Sequence, residues 1–162
     1  VESRFLVWAA RLHEVGIFVA HAGHQKHGAY VLANADMPGF SKMNQDRLSR
    51  IVLSHRGKLE RVQSVTTEMN DWLLVFCLRL AVVLHRARGE TPSPHIRILS
   101  VKDGFHLLID ENWLKRSRLA AACLEEETAQ WNALGMEMAV RSDASLAPAA
   151  RTRKTRNSAA RA

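Results

Sequence analysis

The stretch from Trp72 to His85 reads WLLVFCLRLAVVLH, and whether it is a membrane span or a buried helix decides the fold. It is shorter than the roughly 20 apolar residues a bilayer crossing needs, and Arg79 sits in its middle. A guanidinium at mid-span is costly in lipid, so the segment predicts a buried soluble helix. Its apolar residues lie on all sides and not on one face, as expected for the central helix of a bundle. With its flanks it predicts a helix from about Thr67 to Arg88.

Toward the N-terminus, Phe5, Leu6, Trp8, Ala9 and Leu12 recur at helical spacing and predict a first helix ending near Gly16 as its C-terminal cap. His24 to Ala35 reads as a second helix, with Tyr30, Val31 and Leu32 as its apolar residues, broken by Met37-Pro38-Gly39. Ser41 is a plausible N-cap for a third helix through Met43, Leu48, Ile51, Val52 and Leu53 to about His55.

Toward the C-terminus, Gly89 to Pro94 (GETPSP) is the best boundary, because two prolines and a glycine cannot continue a helix. Beyond it the period changes to two. The runs HIRILSV and FHLLID flank Lys102-Asp103-Gly104, and Asp-Gly between alternating runs signals a hairpin. NWLKRSRLAAACLEEETAQWNALG then predicts one amphipathic helix closed by Gly135, and Met136 to Arg141 a third strand. The expected class is α+β: a mostly helical bundle over residues 1–88, a small β-β-α-β domain over 89–141, and a disordered basic tail over 142–162.

Composition narrows the function. A chain of 162 residues with 47% apolar content can bury a core, and is too apolar to be disordered throughout. Cys77 and Cys123 lie far apart in helical patterns, which argues against a disulfide framework or a thiolate zinc cluster and fits a reducing cytoplasm. The opening VESRFLVWAARLHE mixes charges into its apolar positions, unlike a signal peptide. A chain that starts at Val1, with a helix already running by Phe5, is expected to be a piece of something longer. Residues 1–61 hold nine Lys and Arg against five Asp and Glu, together with five of the eight histidines. Such a basic surface favours a polyanionic partner.

The histidines concentrate in LHEVGIFVAHAGHQKHGAY, residues 12–30. Three chemistries fit this residue mix: a metal site, a catalytic acid/base pair, or an anion cradle. HD-type phosphohydrolases hold a divalent metal with a His-Asp pair at a helix end, an upstream His and a distant Asp on a later helix, but the pair here is His13-Glu14 and the central helix runs Arg79-Leu80-Ala81-Val82-Val83-Leu84. His21, His24 and His27 share helical spacing, yet no cysteine or suitably spaced carboxylate completes a zinc set. No Ser or Cys lies in a recognisable nucleophile elbow. The cradle has more support. His24, Lys26 and His27 start one helix, His55, Arg56 and Lys58 end another, and His85, Arg86 and Arg88 end the central one. The bland reading is that cations at helix C-termini only complement the dipole.

These same residues carry a resemblance. LHEVGIFVAHAGHQKHGAYVLANADMPGFSKMNQDRLSRIVLSHRGKL, followed by LRLAVVLHRAR, resembles the C-terminal region of the exopolyphosphatase and guanosine pentaphosphate phosphatase family. The likeness runs in register from about Arg4 to Arg141, through Trp113-Leu114 and the spacing of Leu124, Glu126 and Trp131. The resemblance implies a helical domain similar to the HD fold, with His-Glu in place of His-Asp, followed by a small α/β domain. It further implies that hydrolysis of the terminal phosphate, with its catalytic glutamate and Mg²⁺, occurs on N-terminal domains that this sequence does not include. What is left for this region is to hold the phosphate chain and to support a homodimer.

The expected contacts with inorganic polyphosphate are therefore Lys26, His27, Arg56, Lys58, His85 and Arg86, with His24 a weaker one, and no catalytic residue is expected in the chain. His13 and Glu14 are expected to be structural and to hold no metal, Mg²⁺ belongs to the parent enzyme, and no membrane contact is expected. Two competing readings are a non-enzymatic nucleic-acid or nucleotide-binding module, for which the chain lacks a recognisable motif, and a metal-dependent HD hydrolase.

Overall fold

The computed structural model describes residues 2–64, 66, 68–86 and 94–146, with backbone only at Arg86 and Ala144. Most of the expected boundary, residues 89–93, and most of the expected tail, residues 147–162, lie outside the described residues. Four helices come first: α1 (Glu2–Leu12), α2 (His24–Asn34), α3 (Lys42–Ser54) and α4 (Met69–Arg86). They are followed by β1 (Ile96–Val101), β2 (Gly104–Ile109), α5 (Glu111–Arg116), α6 (Arg118–Ala133) and β3 (Glu137–Ser142). The class is α+β, with a β-β-α-β arrangement after the helices, as the sequence predicts.

Local signals account for most of the boundaries. Ser41 caps α3, its hydroxyl accepting from the Asn44 N–H at 3.2 Å. Asp110 does the same for α5, accepting from the Asn112 N–H at 3.0 Å. Gly135 adopts φ 78° just past α6, the left-handed conformation that ends a helix without Cβ strain.

Three expectations need correction. The first helix stops at Leu12, and Gly16 lies inside a short 3₁₀ helix, Val15–Phe18, in place of capping α1. Its role is close approach: a Cβ there would lie 2.0 Å from the His24 carbonyl oxygen. Gly104 is not the turn glycine either. Val101 pairs with Gly104, so Lys102 and Asp103 form the connection, and a Cβ on Gly104 would lie 1.9 Å from the Glu137 carbonyl oxygen. The helix expected to run unbroken from Asn112 splits at Ser117, whose φ −107° and ψ 64° interrupt the ladder.

The sheet has the order β1-β2-β3. β1 and β2 are antiparallel, with Ile96 opposite Ile109, and β3 runs parallel to β2, with Phe105 opposite Met138. A parallel return needs a crossover, and α5 with α6 supplies it.

The burial pattern of α4 explains why this helix is apolar on all sides. One face presents Leu74 and Leu78 to Phe5, Ala9, Leu32, Leu48, Ile51 and Val52 of the first three helices. The other presents Trp72, Val75, Phe76, Leu80 and Val83 to Phe105, Leu107, Ile109, Leu124, Trp131 and Met138 of the α/β segment. Phe76 stacks on Phe105 at 4.5 Å and meets Trp131 edge-on at 5.4 Å, contacts that add about 0.5–1.5 kcal/mol each beyond the buried area. In the first turn of α4, Asp71 accepts from Arg47 of α3 at 2.6 Å, and the same guanidinium binds both carboxylate oxygens of Glu2 of α1. Among the described residues no helix is long and apolar enough to cross a membrane.

Candidate functional site

The site forms where the C-terminal end of α3, the start of α2 and the second half of α4 meet α6. Arg79 is the pivot. It interrupts the apolar run of α4 and is only 3% exposed, so its guanidinium must be fully partnered. Its Nε donates to Glu127 Oε2 at 2.7 Å and its Nη2 to Glu127 Oε1 at 2.6 Å, a two-point pair with α6. Nη1 donates to the Ser54 carbonyl at 2.9 Å and Nη2 to the Gly57 carbonyl at 3.0 Å. The Leu59 N–H donates to Gln130 Oε1 at 3.0 Å. These bonds pin the loop His55-Arg56-Gly57-Lys58 against α4 and α6, and Gly57 turns the chain at φ 89°.

Above this clamp a cavity of about 470 Å³ is lined by His24, Arg56, Lys58, Glu126 and Glu127, with Val82, Val83 and Cys123 as apolar floor. A second cavity, of about 220 Å³, adjoins it and shares His21, His24, His55, Arg56 and Val82 with it. His13, Glu14 and His85 complete the lining of the smaller one. On the other flank of the loop a groove of about 380 Å³ is bounded by Lys26, Arg56, Lys58 and Arg61.

Of the residues singled out from the sequence, His24, Arg56, Lys58 and His85 line the two adjoining cavities, and Lys26 faces the flanking groove with Arg56 and Lys58. His27, half-buried on α2, lines none of these three spaces. The Arg86 side chain lies outside the described residues. Glu127 and Gln130 stand outside every candidate set read from the sequence, Glu126 enters there only through the family spacing and Arg79 only as the charge that argues against a membrane span, and His21 and His55, named in the zinc set and the cradle, are absent from the expected contacts. Arg79 left one signal, since a charge inside an apolar helix demands a buried partner. Glu127 left none, because it sits in a polar EEE run that reads as a solvated face.

Three of the imidazoles have defined tautomers. His55 Nδ1 lies 2.6 Å from the Val52 carbonyl oxygen, His13 Nδ1 2.8 Å from that of Ala10, and His24 Nδ1 3.1 Å from that of His21. A carbonyl can only accept, so each Nδ1 carries the proton, and the nitrogen left for a ligand is Nε2. His55 is buried between two of the others, with ring centroids 5.1 Å from His13 and 5.5 Å from His24. Burial first, then the neighbouring His13, His24 and Arg79, push its pKa down to about 4 against the upward pull of the Val52 carbonyl. His55 is therefore neutral near pH 7.

A divalent metal fits this arrangement poorly. Mg²⁺ needs oxygen ligands in near-octahedral geometry, but both oxygens of Glu127 are bound by Arg79, and the α4 residues facing the cavity of His13 and Glu14, Val82 and His85, bring no oxygen ligand. Among the described residues no three His, Cys, Asp or Glu side chains are grouped to hold a metal ion.

Comparison with known proteins places the chain. The family model described as Ppx/GppA phosphatase, domain III, matches residues 1–128. A guanosine-5′-triphosphate,3′-diphosphate pyrophosphatase of Pseudoalteromonas translucida (strain TAC 125) is 32% identical over 138 residues, which is 83% of this chain and 28% of the relative. The protein of the same name from Vibrio parahaemolyticus is 29% identical over 133 residues, 81% of this chain and 27% of the relative. The chain thus spans little more than a quarter of the length of these relatives. From His13 through the loop that Arg79 pins to Glu127 of α6, the residues that build the site fall within the matched region, Gln130 alone lying beyond it, and the chain belongs to the Ppx/GppA phosphatase family, in the part that its domain III describes.

Proposed function

We propose that this chain is the substrate-gripping C-terminal portion of an exopolyphosphatase-type phosphohydrolase, which releases the terminal phosphate of inorganic polyphosphate or guanosine pentaphosphate. The observation that carries the reading is that Arg56 and Lys58, on one pinned loop, are shared by the two spaces that also take His24 on one side and Lys26 on the other. A flexible polymer with about one charge per phosphate is held by many weak cationic contacts, each sensitive to salt, and such contacts also keep a processive enzyme on its substrate. In this reading bond cleavage and Mg²⁺ belong to the parent enzyme outside this chain, the chain alone is inactive, and the parent works as a homodimer. The names of the relatives, which act on guanosine-5′-triphosphate,3′-diphosphate, support a hydrolase of phosphoanhydride bonds.

A competition experiment tests it. Long-chain polyphosphate labelled at one end should bind the chain and resist displacement by duplex DNA at equal charge concentration. Equal displacement by DNA would favour a general polyanion or nucleic-acid module instead.

A further inference from the structure

Five histidines, His13, His21, His24, His55 and His85, line the 220 Å³ cavity together with Arg56, Glu14, Ile17 and Val82. This is an odd cradle for a fully ionised phosphate. His55 and His24 have committed their Nδ1–H to backbone carbonyls, so a neutral ring presents only a lone pair at Nε2. A lone pair repels an anionic oxygen and welcomes a hydroxyl. Glu14, at the rim, also disfavours a second negative charge.

The phosphates of a linear chain are not equivalent. Internal groups ionise fully and have oxygens that only accept, whereas the end group, like a phosphomonoester, holds a second proton with a pKa of about 6. We propose that the histidine-lined cavity is a subsite for the singly protonated end group of a phosphate chain, its P–OH donating to Nε2 of His55 while its anionic oxygens face Arg56. This rests on the polyanion reading of the adjoining cavity, which takes the rest of the chain along Arg56 and Lys58. The titratable and charged groups that face His55 come from every element packed around it. They are His13 and Glu14 after α1, His21 and His24 at the start of α2, Arg56 on its own loop, Arg79 and His85 of α4, and Glu126 and Glu127 across the adjoining space. Burial holds His55 in the neutral, accepting form down to about pH 4, so over the neutral range the titrating partner is the ligand.

Calorimetry on the full chain tests the subsite, with linear tripolyphosphate, which has end groups, against cyclic trimetaphosphate, which has none. Tripolyphosphate should bind with uptake of about one proton per molecule, seen as a dependence of the heat on buffer ionisation enthalpy. Its affinity should fall about tenfold per pH unit above the end-group pKa, while trimetaphosphate stays flat. A purely cationic trough predicts the opposite sign, since the end group gains charge as pH rises. His55→Phe should bring the two ligands to the same pH profile, and if that variant does not fold, the wild-type comparison decides alone.

A pH dependence shared by both ligands, or tripolyphosphate binding that strengthens with pH, overturns the subsite. Long-chain polyphosphate that binds without such linkage sinks this inference and leaves the polyanion reading standing. No binding of any phosphate chain sinks both. Guanosine 5′-triphosphate offers the same end group, so a proton-linked affinity above that of tripolyphosphate assigns it to a nucleotide and the reverse assigns it to a bare chain, and either result supports the subsite.

Discussion

Arg79 and Glu127 meet through two parallel hydrogen bonds of 2.7 and 2.6 Å, joining the central helix to α6 directly beneath the loop that carries Arg56 and Lys58. The same guanidinium holds the Ser54 and Gly57 carbonyls. One buried pair therefore couples the packing of the α/β segment to the position of the two cations. Buried ion pairs add little net stability compared with a well-packed apolar pair, but removing one partner strands the other.

Replacing Arg79 with Met leaves Glu127 and two backbone carbonyls without their partner. Such a loss costs about 3–5 kcal/mol, and urea denaturation should show it as a fall in midpoint with an unchanged slope. Glu127→Gln keeps one acceptor and should cost less. If Arg79→Met matched the wild type in stability, the clamp would be dispensable and the loop positioned by other contacts.

The burial of His55 gives stability a pH signature. Its pKa drops from 6.5 in the unfolded chain to about 4 in the fold, because burial disfavours the imidazolium. Between those values the unfolded state binds more protons, so stability rises with pH in this window. The contribution is fully present above about pH 6.5 and is lost as pH falls toward 4, by about 3 kcal/mol in all. Denaturation curves at pH 4.5 and pH 7 should differ by most of that amount, and the difference should shrink in His55→Phe.

Much of the fold was legible because it depends on local or periodic signals: the apolar girth of α4, the alternating runs of the hairpin, Ser41 as a cap. The convergence at the site was not, since it depends on distances between segments far apart in sequence. Arg56 and Lys58 could be read as a cationic cluster, yet nothing in the sequence said that Glu126, Glu127 and Gln130 would wall the same cavity. The roles of Gly16 and Gly104 were hidden for a related reason. Both glycines are needed for what passes beside them, and neither for its own dihedral angles.

Gly16 links packing to the site. A Cβ there would lie 2.0 Å from the His24 carbonyl oxygen and 2.4 Å from the Gly28 nitrogen, both backbone atoms that cannot swing aside. Gly16→Ala must push α2 away and carry His24 from His55, with a stability loss of about 3 kcal/mol. Gly23→Ala is the contrast: it strains a residue at φ 68° with open space around it and should cost only about 1–2 kcal/mol. The chemical shift of the His24 ring should move in the first variant far more than in the second.

The trough itself is tested by salt. Each cation that neutralises a phosphate releases counterions, so the slope of log affinity against log salt counts the contacts. Arg56→Gln and Lys58→Gln should each weaken long-chain polyphosphate binding and reduce that slope by about 0.7–1. Lys26→Gln should do likewise, because Lys26 bounds the groove on the far flank of the same loop. Lys115→Gln is the control: this lysine pairs with Glu111 on α5, away from both cavities and the groove. Its loss removes the same formal charge without removing a contact. If all four variants shifted the slope equally, binding would follow net charge alone, and the convergence of Lys26, Arg56 and Lys58 would have no bearing on how the chain holds its ligand.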